Sequence, residues 1–351
     1  MLWRSELKKL LLTQKGILLL TVCLLLKLVF LCAFPELKDS RIVLSQKQYD
    51  KYLSQLYGEN TPEKSQWILE EYENCKRVKD SQQEMREKYA RGELPEEAWS
   101  DFLQELELAE LHINSAKIFA EKAEQFALQP ETIAPAHYIY EYGWQTVYTL
   151  LRFPDIFLLF GMLLLSAQCF SSEAASGMLP VLLAAKNGRR KLYYAKLLAL
   201  AAVGCMAFAL FAGAEVAVFS LRGWCKDSAA PLHSVTCMTA SALPLTLGQG
   251  YGLCLLVRGC ATLLFAASVY ALSVWLKDTA NLIFLGLCVW GLPVLWGGTA
   301  ALFTHGGLLC GSQMLLWLSE GGFSLLLPLA VVAVYSILIL IFAAQRHQKG
   351  L

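Results

Sequence analysis

Glu173-Ala-Ala-Ser-Gly-Met-Leu-Pro-Val-Leu-Leu-Ala-Ala-Lys-Asn-Gly-Arg-Arg-Lys-Leu-Tyr-Tyr-Ala-Lys196 separates two apolar runs, 153–170 and 197–219. Each run is long enough to cross the hydrocarbon core as a helix, which takes about 20 residues. The stretch between them opens on an acid, offers a turn at Gly177 and ends in the bases Lys186, Arg189, Arg190, Lys191 and Lys196. So polar a segment belongs at a membrane surface, and its density of Lys and Arg assigns it to the cytosolic side.

Further windows of the same kind lie at 16–34, 251–276, 280–303 and 323–343, giving six expected spans. With 56% hydrophobic residues and a mean hydropathy of +0.44, the 351-residue chain carries more apolar surface than one soluble core of that size can hide. The formal net charge of +1 conceals a division: residues 35–147 hold 22 acids and 13 bases, the remainder 7 acids and 17 bases. An acidic polar insert is set in a basic, apolar frame.

The bases fix the expected orientation. Arg4, Lys8, Lys9 and Lys15 precede the first run, Lys277 marks the turn between the fourth and fifth, and Arg346 and Lys349 follow the sixth. With the five bases of 186–196 they all fall on the cytosolic side if both termini do, which makes the chain a multi-pass protein of the cell membrane with 35–147 extracellular. The opposite loops hold Arg222 and Lys226 after the third run and no Lys or Arg from 304 to 322. Residues 1–15 place an apolar stripe (Leu2, Trp3, Leu7, Leu10, Leu11) beside a basic one, the pattern of an interfacial helix. The first run is interrupted by Lys27 and lacks a small-x-small cleavage site, so it is expected as an uncleaved anchor.

The insert reads as helix over 45–57, 62–91 and 95–128, the last two separated by Arg91-Gly-Glu-Leu-Pro95 and therefore an expected hairpin. Trp99, Phe102, Leu106, Ile113 and Phe119 recur at three- and four-residue steps and call for a partner face, supplied by Trp67, Ile68, Tyr72 and Met85. Two roles stay open: a solvated spacer, or a surface that binds substrate or an extracellular partner. The Pro- and Tyr-rich piece 128–152 is expected at the outer interface.

Several chemistries lack their residues. The dipeptide Gly-Lys does not occur, so there is no P-loop. The five histidines (112, 137, 233, 305, 347) show no metal-ligand spacing, and Gly-x-Ser-x-Gly is missing. Nothing points to nucleic acid. Most of the eleven cysteines sit inside the apolar runs as small apolar residues, whereas Cys225 and Cys237 could close a disulfide loop. Lys27, Glu215 and Arg258 are charges within spans, each costing a few kcal/mol in hydrocarbon unless partnered. Counted along the helices they share one depth, so Glu215 can neutralise Lys27 or Arg258. A helix-joining ion pair, a substrate path and snorkelling to the headgroups are the readings.

Together these features resemble the permease subunit of type-2 ATP-binding-cassette (ABC) transporters, bacterial half-transporters of six spans with cytosolic termini. In that family the loop between spans two and three begins with Glu, has Gly about four residues on, then a leucine-rich stretch and a basic residue before a Lys-led span. Glu173, Gly177, Leu179, Leu182, Leu183, Arg189, Arg190 and Lys196 occupy those places. The resemblance implies a cytosolic coupling segment over 171–196, with Glu173, Gly177 and the basic run Lys186, Arg189, Arg190, Lys191 as contacts to a separate ABC ATPase. It further implies a second permease subunit, and ATP with Mg bound by the ATPase and no cofactor on this chain. Where the family has Pro-x-Ser/Ala-Arg, this chain has Ala-Lys-Asn-Gly-Arg189, with Pro180 displaced earlier.

The expected protein is thus all-α: six transmembrane helices with an extracellular helical hairpin domain between the first two. Its expected function is the permease of an exporter driven by a partner's ATP hydrolysis, with no covalent chemistry of its own. The alternative is a non-transporting membrane sensor or scaffold whose hairpin binds an envelope component. The residues leave the cargo open.

Overall fold

The computed structural model describes residues 2–43, 45–129, 134–178, 184, 188–241, 243–276, 278–296, 302–319 and 326–349. In chain order the helices are α1 (Leu2–Lys8), α2 (Gly16–Ala33), α3 (Ser40–Val43), α4 (Gln46–Leu56), α5 (Pro62–Asp80), α6 (Gln82–Ala90), α7 (Glu96–Ala127), α8 (Tyr142–Leu151), α9 (Ile156–Ala175), α10 (Gly188–Leu221), α11 (Leu247–Leu272), α12 (Thr279–Trp296), α13 (His305–Leu308), α14 (Gly311–Ser319) and α15 (Leu326–Lys349). Among the described residues one two-stranded antiparallel ladder pairs Gly58 with Tyr138 and Glu59 with His137.

The chain divides into two compact units: 1–35, 147–224 and 249–351 form a helical bundle, and 36–146 with 225–248 form an inserted unit. The inserted unit is therefore larger than the expected 35–147, because the segment after α10 belongs to it.

Among the described residues, five helical stretches are long and apolar enough to cross a membrane: Gly16–Ala33, Tyr142–Ala174, Arg190–Leu221, Leu247–Leu272 and Leu327–Gln348. The second is two helices, broken at 152–155, where Pro154 removes a backbone donor and the side chain of Asp155 restarts the ladder by accepting from Leu158 N at 3.1 Å. In the run expected at 280–303 the structure places α12, whose stretch Thr279–Cys288 is apolar. The faces of α2 and α15 that point away from the bundle carry Leu18, Val22, Leu26, Val29, Val334, Ile337 and Ile341, all exposed. Such faces are stable against lipid and not against water. Inward, Met162, Leu165, Val203, Phe211, Tyr270 and Ala343 form the main core.

α1 continues through one π turn, Lys9–Thr13, and the chain then reverses at Lys15, whose φ of 54° lies in the left-handed region. That corner joins the amphipathic N-terminal segment to α2.

In the inserted unit, Thr61 caps α5 and Pro62 occupies its first turn, where the missing N–H costs nothing. The helix expected over 62–91 is interrupted at Ser81, giving α5 and α6. Gly92, at φ 73°, turns the chain into α7. Tyr89 stacks on Trp99 with ring centroids 4.9 Å apart; further from the turn, Glu71 and His112 each lie 2.9 Å from the Tyr52 hydroxyl. The two arms are therefore antiparallel. Their core holds Ile42, Tyr49, Ile68, Phe119, Phe126 and Tyr138.

Residues 225–248 join this unit through polar contacts. Trp144 donates its indole N–H to the Lys226 carbonyl, His137 N donates to Ser234 Oγ at 2.9 Å, and Glu141 accepts from Thr236 N at 2.7 Å and from its hydroxyl at 2.8 Å. Cys225 and Cys237 are not joined by a disulfide; burial, and then the nearby Glu141 charge, push the Cys237 thiol up to about 12, which leaves little thiolate for exchange.

Candidate functional site

Two ionic clusters clamp the same helices of the bundle. In the first, the Lys27 ammonium on α2 contacts Asp155 at 2.6 Å, Glu215 at 2.7 Å and the Phe211 carbonyl at 3.2 Å. Arg258 on α11 reaches Glu215 at 3.4 Å and the Phe153 carbonyl at 3.0 Å, and the Tyr251 hydroxyl donates to the other Glu215 oxygen at 3.3 Å. Two cations and two carboxylates balance, and every one is buried, which is how charge persists at such positions. The structure brings together Lys27, Glu215 and Arg258. Sequence reasoning missed Asp155, which sits at the polar edge of an apolar run and reads there as a helix cap.

Beside this cluster lies a cavity of about 450 Å³ with Phe30, Phe34, Phe153, Phe157 and Phe219 on its walls and the charged groups on its floor. An apolar body with a polar head matches that lining. Arg222 donates to the carbonyls of Cys32 and Phe34, tying the end of α10 to the end of α2.

The second cluster contains Glu173. Its side chain is 3% exposed and bonded to both Lys9 and Lys196, the latter at 2.7 Å. Lys196 also lies 3.4 Å from Glu6, donates to the Cys169 carbonyl at 2.6 Å and stands over the Phe170 ring. Glu173 therefore points into the bundle, joining the N-terminal segment, α9 and α10, and is not the surface contact that the motif led us to expect.

Gly177 has an equally local account. Its N–H bonds the Ala174 carbonyl at 3.2 Å, Met178 N bonds the Glu173 carbonyl at 3.1 Å, and its φ is 69°. This paired pattern with a left-handed glycine terminates α9. Glu and Gly four residues apart are here the last turn of a helix and its stop.

Of the basic run, Arg190 and Lys191 are exposed at the start of α10. Lys186, Leu179, Pro180, Leu182 and Leu183 lie outside the described residues, as does the side chain of Arg189.

The spacing of the clusters is informative. From Asp155, the cap of α9, to Glu173 is 18 residues and from Lys196 to Glu215 on α10 is 19, about 27–29 Å along each axis at 1.5 Å per residue. That is close to the thickness of a hydrocarbon core, about 30 Å, so the two clusters stand one such thickness apart along these helices.

Another grouping was invisible in the sequence. His305, 2% exposed, faces the Tyr335 hydroxyl with Nδ1 at 2.9 Å and the Ser336 and Ser268 hydroxyls with Nε2 at 3.0 and 3.2 Å. Its partners lie 30 to 37 positions away on other helices, so no local spacing signals it. Among the described residues no three of His, Cys, Asp and Glu are grouped to hold a metal ion.

No protein-family model, no curated protein and no solved structure matches this chain. Its class rests on its own residues: a helical protein with five stretches able to cross a membrane.

Proposed function

We propose that the protein is the permease subunit of an ABC-type exporter, moving a solute across the cell membrane on energy from a separate ATPase. The observation that supports this most is the Glu173 cluster. It joins α9, α10 and the amphipathic N-terminal segment just where the chain leaves α9 for the basic stretch that opens α10. A push on that stretch would be delivered to two membrane-length helices together, as coupling to a nucleotide-driven partner requires. The Phe-lined cavity beside Lys27 would meet an apolar or amphiphilic cargo on its way.

The test is purification from native membranes in mild detergent, reading ATP hydrolysis in the purified sample. Wild type should carry an ATPase activity, and the double charge reversal Arg190→Glu with Lys191→Glu, at exposed positions, should lose it while melting at the same temperature. A chain that purifies without ATPase activity in both forms rejects the permease. Glu173→Lys is the wrong probe, since it would set three cations together in a buried site.

A second reading draws on the clamps at both ends of α9 and α10. They hold the bundle as one block, as suits a membrane anchor for a sensing or scaffolding inserted unit.

A further inference from the structure

We propose that the inserted unit contains a binding site for a small zwitterion of the amino-acid class, in a cleft headed by Lys122 and Gln125. The cleft encloses about 350 Å³ and lies wholly within that unit, between the 37–41 segment, α7, the start of α8 and Thr236. Unlike the cavity beside Lys27, it is lined by charged and amide groups: Lys38, Asp39, Arg41, Glu121, Lys122 and Gln125 among them.

Most of these charges already have partners. Arg41 binds Asp39 through two of its nitrogens and reaches both oxygens of Glu121 at 3.2 and 3.0 Å. Glu141 is held through one oxygen by Thr236 N and Oγ1. Lys122 differs. Its side chain is 3% exposed, and its ammonium stands 3.3 Å from the other Glu141 oxygen, yet the ammonium makes no hydrogen bond. One turn further along α7, the Gln125 side-chain oxygen is also buried without a donor.

A buried ammonium with unused donors is costly unless something accepts from it. Residues three apart on a helix project side by side, about 5–6 Å apart at Cβ. The head of the cleft therefore offers a cation and an amide acceptor at adjoining points, with the carboxylates of Asp39 and Glu121 beyond. A ligand carboxylate meets Lys122 and its ammonium meets Gln125 Oε1 and the acidic side. A lone anion would leave the amide oxygen unused; a lone cation would leave the Lys122 donors unused. An α-amino acid carries both charged groups on one carbon, and the volume admits a side chain of several heavy atoms. The inference does not rest on the permease reading, because a sensor and a permease could both use such a site.

The full chain in detergent is titrated calorimetrically with L-glutamine, and separately with acetate, methylammonium and inorganic phosphate. L-glutamine should bind at least tenfold more tightly than any of the other three. Lys122→Met should weaken glutamine at least tenfold; because it strands the buried Glu141 carboxylate it should also melt lower than wild type. Lys122→Met with Glu141→Gln, which removes both charges, should regain melting temperature and still bind glutamine at least tenfold more weakly; Gln125→Ala should weaken it several-fold. Phosphate or acetate binding as tightly as glutamine would overturn the zwitterion in favour of an anion site. Absence of glutamine binding, or undiminished binding to Lys122→Met, would overturn the site altogether.

Discussion

Lys27 shows how a single side chain can be indispensable without taking part in any reaction. Its ammonium serves two buried carboxylates and a helix carbonyl at once, so Lys27→Met leaves Asp155 and Glu215 sharing only Arg258. Stranding a buried charge costs on the order of 3–5 kcal/mol, and thermal melting in detergent should show Lys27→Met severely destabilised. Adding Asp155→Asn restores the balance of charge and should recover much of the loss, a coupling that a double-mutant cycle measures directly. Two independent, additive losses would mean that the pair does not interact. At Gly177 the expectation is smaller: at φ 69° a Cβ meets no neighbouring atom but strains the backbone, so Gly177→Ala should cost about 1 kcal/mol. If it instead abolished ATPase association with no change in melting, the glycine would be a contact and not a stop. The sequence displayed Lys27, Glu215 and Arg258 because a charge among leucines is conspicuous. It hid Asp155, and it showed Lys196 as a flanking base without its pairing to Glu173, since an acid or base at the edge of an apolar run looks like ordinary flanking charge.

Elements were legible in proportion to how local their causes are. The long apolar runs and the 96–127 helix follow from composition and three-to-four-residue periodicity, and the structure places α7 within a residue of the expected bounds. The attachment of 225–248 to the inserted unit depends on contacts across some hundred positions, such as Glu141 with Thr236 and His137 with Ser234, and no periodicity reports those. That attachment has a consequence in acid. His233 donates Nε2–H to the Ala134 carbonyl at 2.8 Å, and burial, aided by His137, holds its pKa below the ordinary value. His112 is likewise lowered, by burial and then by Lys51, with Glu71 opposing. Both rings stay neutral in the folded unit while the unfolded chain binds protons near pH 6.5. Their contribution is therefore complete above that pH and is lost as pH falls toward the depressed folded values. Melting temperature should fall between pH 7.5 and 5.5, with a shallower slope in His112→Gln with His233→Gln. An unchanged slope would assign the acid sensitivity elsewhere.

For the whole molecule, the count of crossings decides the topology, and parity makes the question sharp. Among the described residues five stretches qualify by length and composition; taken alone they put the two termini on opposite sides of the membrane. α12, at 18 residues and so about 27 Å long, is near the short limit for a crossing, and with it the count is six and the termini share a side. Charge favours six: Arg4, Lys8, Lys9 and Lys15 at one end and Arg346 and Lys349 at the other are the flanks that remain cytosolic. The Gly92 turn between α6 and α7, exposed among polar residues, would then lie outside the cell. An epitope placed there should be reached by antibody on intact cells, while tags at either terminus should be reached only after permeabilisation. A C-terminal tag accessible on intact cells together with a protected N-terminal one would show that α12 does not cross. It would leave Arg346 and Lys349 on the uncharged side, against the bias that orients most helical membrane proteins, and would remove the six-span architecture on which the permease reading depends.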